Sequence, residues 1–313
     1  MKSVVWGMIG CGDVTEVKNG PGLYLAEHSV LKGVYNRTAS KAESWVNRHG
    51  HGIVYESAEE LLKDPEIEIV YIATTPDTHT RYALMCAESR KHCLIEKPVA
   101  PTLEEGERIR DAFRKADRQC YVAFYRRQLK RFIQIHQLIR SGRIGEVRGV
   151  QILRLTAPIQ DPSAWRANPA ICGGNVFTET DIHALDILIM LMGPAEKIMC
   201  SRSRTGYAVS FQFSDGRIAS GLWDYESEIQ TDRFEIFGSQ GRIAFDFFNN
   251  TAPVCVWDGQ GYEEMIVEDS VHVGMAMEQE IVKELRGEGH FSGTIDNALE
   301  SLKIADQIYY EKV

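Results

Sequence analysis

The chain has 313 residues, 44% of them hydrophobic and 25% charged, enough for two globular domains of roughly 100–200 residues each. Lys and Arg number 35 against 44 Asp and Glu, a net charge of −9, which argues against nucleic acid or an anionic membrane as the main partner, because phosphates call for a basic face. No apolar run approaches the roughly 20 residues of a membrane helix; the longest, Ile187 to Met192, stops at Gly193-Pro194. The N-terminus enters a strand almost at once, with no apolar leader. The seven cysteines are scattered, odd in number and free of Cys-x-x-Cys pairs, which points to reduced thiols of a cytoplasmic protein.

Ser3 to Ile9 is an apolar, β-branched run that reads as a buried first strand. It flows into Gly10-Cys11-Gly12-Asp13-Val14-Thr15. Gly-x-Gly directly after a strand matches the start of a dinucleotide-binding turn: the first glycine makes the tight turn, the second lets backbone approach a pyrophosphate. The third position, normally Gly or Ala, is Thr15, and Asn19-Gly20-Pro21-Gly22 interrupts the helix that should follow. A simple tight turn is the other reading. Val30 to Tyr35 is the second strand and ends in Asn36-Arg37-Thr38, where an acid would grip the ribose of NAD. A neutral Asn36 followed by Arg37, with Ser40 and Lys41 near, favours NADP, since a guanidinium forks a 2′-phosphate and an acid repels it. Asn36 or Thr38 can also serve as cap of a helix over 39–48.

The alternation continues with a short strand Ile53 to Tyr55, a helix 58–63 capped by Ser57, and a strand Ile67 to Ala73. The loop Thr74-Thr75-Pro76-Asp77-Thr78-His79 leads into a helix to Glu88. Cys93 to Ile95 is a fifth strand, a helix spans 103–116, and Cys120 to Phe124 is a sixth strand. Strands alternating with helices predict a doubly wound parallel sheet over residues 1–124. Its ligand edge would gather Gly10, Thr74, Thr75 and Glu96-Lys97-Pro98 at the strand ends. Proline cannot join a ladder, so the fifth strand stops there. A lysine partly desolvated at that edge can have its pKa lowered into a range useful for proton transfer; a surface Glu/Lys pair would look the same.

From 125 onward the pattern changes. Tyr125-Arg126-Arg127 precedes a helix over 129–140, and Val147 to Thr156 alternates as a long strand. Residues 157–175, with Trp165-Arg166 and Gly173-Gly174, form a loop longer than an idle connection needs. A helix follows over 178–192, with Thr178 as cap and Asp181 three residues on. Strands at 207–213, 217–223, 233–237, 242–247 and 254–257, joined by short turns, predict an antiparallel sheet. Helices over 273–286 and 294–311 finish the second domain, 125–313.

On the 178–192 helix, Glu179, His183 and Asp186 are four and three apart and share a face, while Asp181 points elsewhere. Two acids around a histidine on an apolar helix are costly to bury without a task. The histidine, held by Glu179 or Asp186, would be poised as a general acid/base. A satisfied structural histidine and a carboxylate–His metal site are the alternatives; no other His/Cys cluster supports a metal.

With these residues in view, the chain resembles the glucose–fructose oxidoreductase/inositol dehydrogenase family (Gfo/Idh/MocA). The carriers are Gly10-Cys11-Gly12, Glu96-Lys97-Pro98, Phe124-Tyr125-Arg126-Arg127 with Ser141 to Val147, Gly173-Gly174 with His183-x-x-Asp186, and Phe234 to Ile243. They occur in order and span nearly the whole chain. The resemblance implies an N-terminal Rossmann domain and a C-terminal α/β domain whose large, mainly antiparallel open sheet makes homodimers or homotetramers. It implies hydride transfer with NAD(P) on a carbohydrate-like alcohol or carbonyl, and often a cis Lys-Pro bond. Lys97 would touch cofactor and substrate and stabilise the alkoxide, and His183 would move the hydroxyl proton. Glu179 stands where the family usually has Asp, and Asp181 where a small residue is common. The expected cofactor contacts are Gly10, Gly12, Asp13, Val14, Asn36, Arg37, Thr74, Thr75, His79 and Glu96. The expected substrate contacts are Tyr125, Arg126, Trp165, Arg166, Asp181 and Asp186. A family fold that binds dinucleotide or sugar without chemistry is the rival; it would need neither Lys97 nor His183.

Overall fold

Six parallel strands form the first sheet of the protein, a computed structural model that describes residues 3–310. They are β1 (Val4–Ile9), β2 (Ser29–Tyr35), β3 (Ile53–Val54), β4 (Ile69–Ile72), β5 (His92–Ile95) and β6 (Cys120–Val122), in the order β3-β2-β1-β4-β5-β6. All four residues of β4 are buried, as expected of a strand covered by helices on both faces. The order reverses between β1 and β4, so a crevice opens at their carboxyl ends. These two strands run in register from Trp6 beside Ile69 to Ile9 beside Ile72 and end level.

The connecting helices are α1 (Gly22–Leu25), α2 (Ala39–His49), α3 (Ala58–Lys63), α4 (His79–Glu88) and α5 (Leu103–Ala116). Ser57 caps α3 by accepting Glu60 N at 3.1 Å. Thr38 occupies the N-cap position of α2, but neither its side chain nor that of Asn36 makes a capping hydrogen bond. Asn36 is drawn the other way, its Oδ1 accepting Cys11 N at 3.3 Å and its Nδ2 donating to Thr38 O at 3.0 Å. It therefore ties the end of β2 to the glycine turn. The dinucleotide helix is broken as the Asn19 to Gly22 run predicts: a π turn, Val14–Lys18, precedes the single turn of α1.

The second sheet has eight strands: β7 (Val147–Leu155), β8 (Ala195–Arg202), β9 (Gly206–Phe213), β10 (Ile218–Asp224), β11 (Thr231–Gly238), β12 (Arg242–Phe245), β13 (Val254–Asp258) and β14 (Gly261–Met265). Their order is β14-β13-β12-β11-β7-β10-β9-β8. Every pairing is antiparallel except β7 with β10. β8 and β14, the two edges, have no clear counterpart among the predicted strands. Their side chains are mostly exposed, so the alternation that marks a half-buried strand is weak there. α6 (Lys130–Arg140), the short α7 (Pro169–Cys172) and α8 (Ile182–Met192) complete this half.

The last two helices lean on the first sheet. α9 (Met275–Leu285) sends Met277, Ile281 and Val282 into the core made by Val4, Trp6, Met8 and Leu94. α10 (Ile295–Tyr310) packs between α5 and α8. Glu311, the expected end of that helix, lies outside the described residues. Among the described residues no helix is long and apolar enough to cross a membrane, and all seven cysteines are free thiols.

Candidate active site

A cleft of about 850 Å³ runs along the carboxyl edge of the first sheet and under the second domain. Its floor at one end is the glycine turn. Gly10 has φ +102°, and a Cβ there would overlap the Ala73 carbonyl, so only glycine lets β1 and β4 stay this close. At Gly12 the nearest atom to a Cβ position is Ala73 O at 3.9 Å, which leaves the turn open to the cleft. Thr15 fits the place of the third glycine by folding its Oγ1 back onto Gly12 O at 2.7 Å. Asp13, Val14, Lys18, Asn36, Arg37, Lys41, Thr74 and Thr75 line this half of the cleft. Arg37 and Lys41 are exposed at its rim. A dinucleotide fits here: open backbone for a pyrophosphate, cations at the β2 end for its ribose.

The other half is built around the end of β5. The Lys97-Pro98 bond is cis. Glu96 is buried, its Oε1 accepting Tyr71 Oη and Asn19 Nδ2, each at 2.6 Å, and its Oε2 accepting Lys97 N at 3.3 Å. Burial pushes Glu96 above the ordinary carboxylate range, with those donors opposing it. Lys97 Nζ donates to Glu179 Oε1 and to Glu179 O, both at 2.6 Å. Glu179 also accepts Thr180 Oγ1 at 2.6 Å and Arg166 Nε at 3.2 Å. Burial alone would raise Glu179, but the Lys97 and Arg166 charges overcome it and hold the carboxyl down at about 2. One methylene longer than the usual Asp, Glu179 still closes the contact with the lysine.

His183 lines the same cleft and is 5% exposed. Its ring meets the Phe124 and Tyr125 rings edge-on at 5.6 and 5.2 Å. Nδ1 is buried and has no hydrogen-bond partner. Burial, with Lys97 and Arg126 nearby, pushes the imidazole well below its usual range, so it is neutral at pH 7. Neither Glu179 nor Asp186 holds it, contrary to the reading of one shared face. For Glu179 the reason is local geometry, since Phe177–Asp181 is a π turn and the spacing of 3.6 residues per turn does not extend to His183; Asp186 is taken up by Arg127. The turn is started by Asn175, whose Oδ1 accepts Phe177 N at 2.9 Å and Thr178 N at 3.3 Å. Thr178, the expected cap, lies inside the turn and bonds back to Asn175.

Three expected site residues stand outside the cleft. Asp186 is buried against Arg127, its two oxygens accepting Nη2 at 2.7 Å and Nε at 2.8 Å. Asp181 is fully buried behind the cleft wall, accepting Tyr225 Oη at 2.8 Å and facing Arg154 at 3.4 Å. Burial raises Asp181 to about 7, with Arg154 opposing. His79 is buried with its ring between Pro98 O at 2.9 Å and Thr74 O at 3.1 Å, tying the Thr74 loop to the strand end from below. Tyr125, Arg126, Trp165 and Arg166 do line the cleft. So do Lys18, Ile171, Thr180 and Phe248, which sequence reading did not single out. Phe248 arrives from beyond β12 with no local signal. Lys18 ends the π turn that follows the glycine turn, six residues beyond Gly12. Among the described residues no group of three or more His, Cys, Asp or Glu side chains could hold a metal ion.

A doubly wound sheet with a glycine turn, a strand-end lysine and a histidine facing one cleft could hold a dinucleotide beside groups able to move a proton. Residues 4–124 match the model described as an oxidoreductase family with an NAD-binding Rossmann fold, and residues 132–244 match the GFO/IDH/MocA C-terminal domain. An oxidoreductase of Formosa agariphila is 34% identical over 260 residues, covering 80% of this chain and 81% of the relative. Myo-inositol 2-dehydrogenase of Thermotoga maritima is 26% identical over 82% of this chain and 78% of its own. The crystal structure of aldose-aldose oxidoreductase from Caulobacter crescentus, complexed with glycerol, superposes with a TM-score of 0.88 over 98% of this chain and 97% of that one, at 22% identity. The chain belongs to the Gfo/Idh/MocA family and is an NAD(P)-dependent oxidoreductase acting on CH–OH groups.

Proposed function

We propose that the protein moves a hydride between NADP and a carbohydrate-like alcohol or carbonyl, such as a sugar or cyclic polyol, with Lys97, His183 and Glu179 as its reacting constellation. The observation that carries this reading is the Lys97–Glu179 contact of 2.6 Å, set in the same cleft as His183 and the glycine turn. The names of the relatives, a myo-inositol dehydrogenase among them, support a polyhydroxylated substrate.

When bound, the cofactor supplies a hydride acceptor or donor at nicotinamide C4. Gly10, Gly12, Asp13 and Val14 take the pyrophosphate side, and Thr74, Thr75 and Glu96 bound the nicotinamide side. Asn36 shapes the ribose end and Arg37 forks the 2′-phosphate, which is the ground for NADP over NAD. In the oxidation direction the neutral His183 ring accepts the hydroxyl proton. The Lys97 ammonium, aimed by Glu179, donates a hydrogen bond to the same oxygen and stabilises the alkoxide as charge develops. Tyr125, Arg126, Trp165 and Arg166 orient the remaining hydroxyls. Asp181 and Asp186 support this wall from behind.

The division into a dinucleotide domain, 1–124, and a substrate and assembly domain, 125–313, follows the same reading. The outer face of the second sheet, where Met199, Ile218 and Leu222 are exposed, would carry the homodimer or homotetramer contact.

Titration of the purified protein with NADPH and with NADH, followed by nicotinamide fluorescence, tests the proposal. Binding of both with NADPH the tighter is the expected result. Binding of neither would overturn it.

A further inference from the structure

Beneath the cleft, where α9 meets the glycine turn, lies a buried polar group that the proposed reaction does not use. Glu278 of α9 is fully buried, and neither of its carboxylate oxygens has a hydrogen-bond partner. Asn19, at the end of the π turn, is also fully buried. Its Nδ2 donates to Glu96 Oε1 at 2.6 Å and to Tyr71 Oη at 3.1 Å, but its Oδ1 has no partner. A Cβ on Gly274 would overlap both Asn19 Oδ1 and Glu278 Oε1, so the two orphan oxygens face one small space beside that glycine. Gly22 leaves the matching room around Glu278 Oε2. Two acceptors cannot satisfy each other, whereas one proton between them satisfies both. A buried carboxylate anion with no donor, close to a second buried carboxyl, would cost several kcal/mol.

We infer that Glu278 is a neutral carboxylic acid donating its O–H to Asn19 Oδ1, and that it is a positioning residue for Lys97. The chain of contacts runs from Glu278 to Asn19, from Asn19 Nδ2 to Glu96, and from Glu96 Oε2 to Lys97 N at 3.3 Å. The proton fixes which end of the Asn19 amide faces Glu96. A flipped amide would set oxygen against oxygen there and loosen the strand end that carries the lysine. Burial and the neighbouring Glu96 push Glu278 well above the ordinary carboxylate range, which agrees with this state. Glu96 is the charged group that faces it; Tyr71 and Asn19 are the neutral polar ones. The same segment also grips the π turn, since Gly274 N donates to Lys18 O at 3.1 Å and His272 Nδ1 meets Val17 O at 2.7 Å.

The link to Lys97 rests on the proposed function, but the proton itself does not. Infrared difference spectroscopy of the full-length protein against Glu278→Gln at pH 8.5, where Asp181 is ionised, should show a protonated-carboxyl component that the variant lacks. That variant keeps a donor toward Asn19 and should keep turnover within about threefold, while Glu278→Met should lose about tenfold. The double variant Glu278→Met/Asn19→Leu should lose no more than Asn19→Leu alone, because both act through one path. Nicotinamide affinity should hold within about threefold throughout. No carboxyl band, or Gln as damaging as Met, or additive losses in the double variant, would overturn the inference. Should the protein prove inactive, the band and the same cycle read by thermal unfolding still decide it, so the two failures are separable.

Discussion

Two ion pairs sit at the start and the middle of one helical segment, and they have opposite settings. Glu179 reaches Lys97 and Arg166, whose side chains are 13% and 53% exposed. Asp186 takes Nε and Nη2 of Arg127, whose side chain is 5% exposed against 1% for the acid. At the first pair the cations keep access to water and to whatever enters the cleft. At the second nothing enters, and a cation left alone would be stranded in the core. The same kinds of charge, seven positions apart, therefore do different work: one pair holds the Lys97 ammonium at the cleft, the other clamps the chain entering the second domain onto α8. Burial of the basic partner, not the presence of the acid, separates them.

Breaking the core pair should have the largest effect. Asp186→Ala should cost about 3–5 kcal/mol of stability, the scale for a buried pair deprived of one partner, read as a lowered midpoint in urea. Lys97→Ala, by contrast, should fold normally and bind nicotinamide within about tenfold, yet lose at least roughly 100-fold in turnover. Unchanged turnover would remove the lysine from the mechanism. Arg37→Ala sharpens the comparison at the cofactor end. It should weaken NADP about tenfold or more, the value of a charge-assisted fork, with a much smaller loss for NAD. Equal losses would cancel the preference.

The smallest effect belongs to Asp181. Its folded pKa, about 7, stands above its ordinary 3.8. The stability this group lends is fully present below about pH 4 and is lost as pH rises through 7. Asp181→Asn should therefore match the parent below about pH 4 and melt about 2 °C or more above it at pH 8.5. A variant no better at the higher pH would show Asp181 already ionised against Arg154.

The parallel sheet was legible because its strands are short apolar runs ended by glycine, threonine or proline, a signal that burial on both faces makes strong. The strand-end group of Gly10, Thr74, Thr75 and Lys97 followed from that sheet alone. The edges of the second sheet were harder, since β8 and β14 expose most of their side chains and carry little alternation. On the 178–192 helix Glu179 and His183 do line the cleft, but the grouping around the histidine was wrong. Spacing arguments assume an α-helix; the π turn at Phe177–Asp181 withdraws Glu179 toward Lys97, and Arg127 takes Asp186, leaving His183 without an acid. Asp181, Asp186 and His79 read as ligand contacts because buried polar residues near a site look alike in sequence. Their partners, Tyr225, Arg127 and the Pro98 carbonyl, lie far off in the chain or in backbone atoms.

The most direct measurement sets Glu179→Gln beside Asp186→Asn, with thermal midpoint and turnover recorded for both. Glu179→Gln should melt within a few degrees of the parent, because Lys97 and Arg166 can turn to water, and should lose turnover by about tenfold or more. Asp186→Asn should melt well below it. A Glu179→Gln protein that is unstable but fully active would contradict the assignment of that pair to the chemistry.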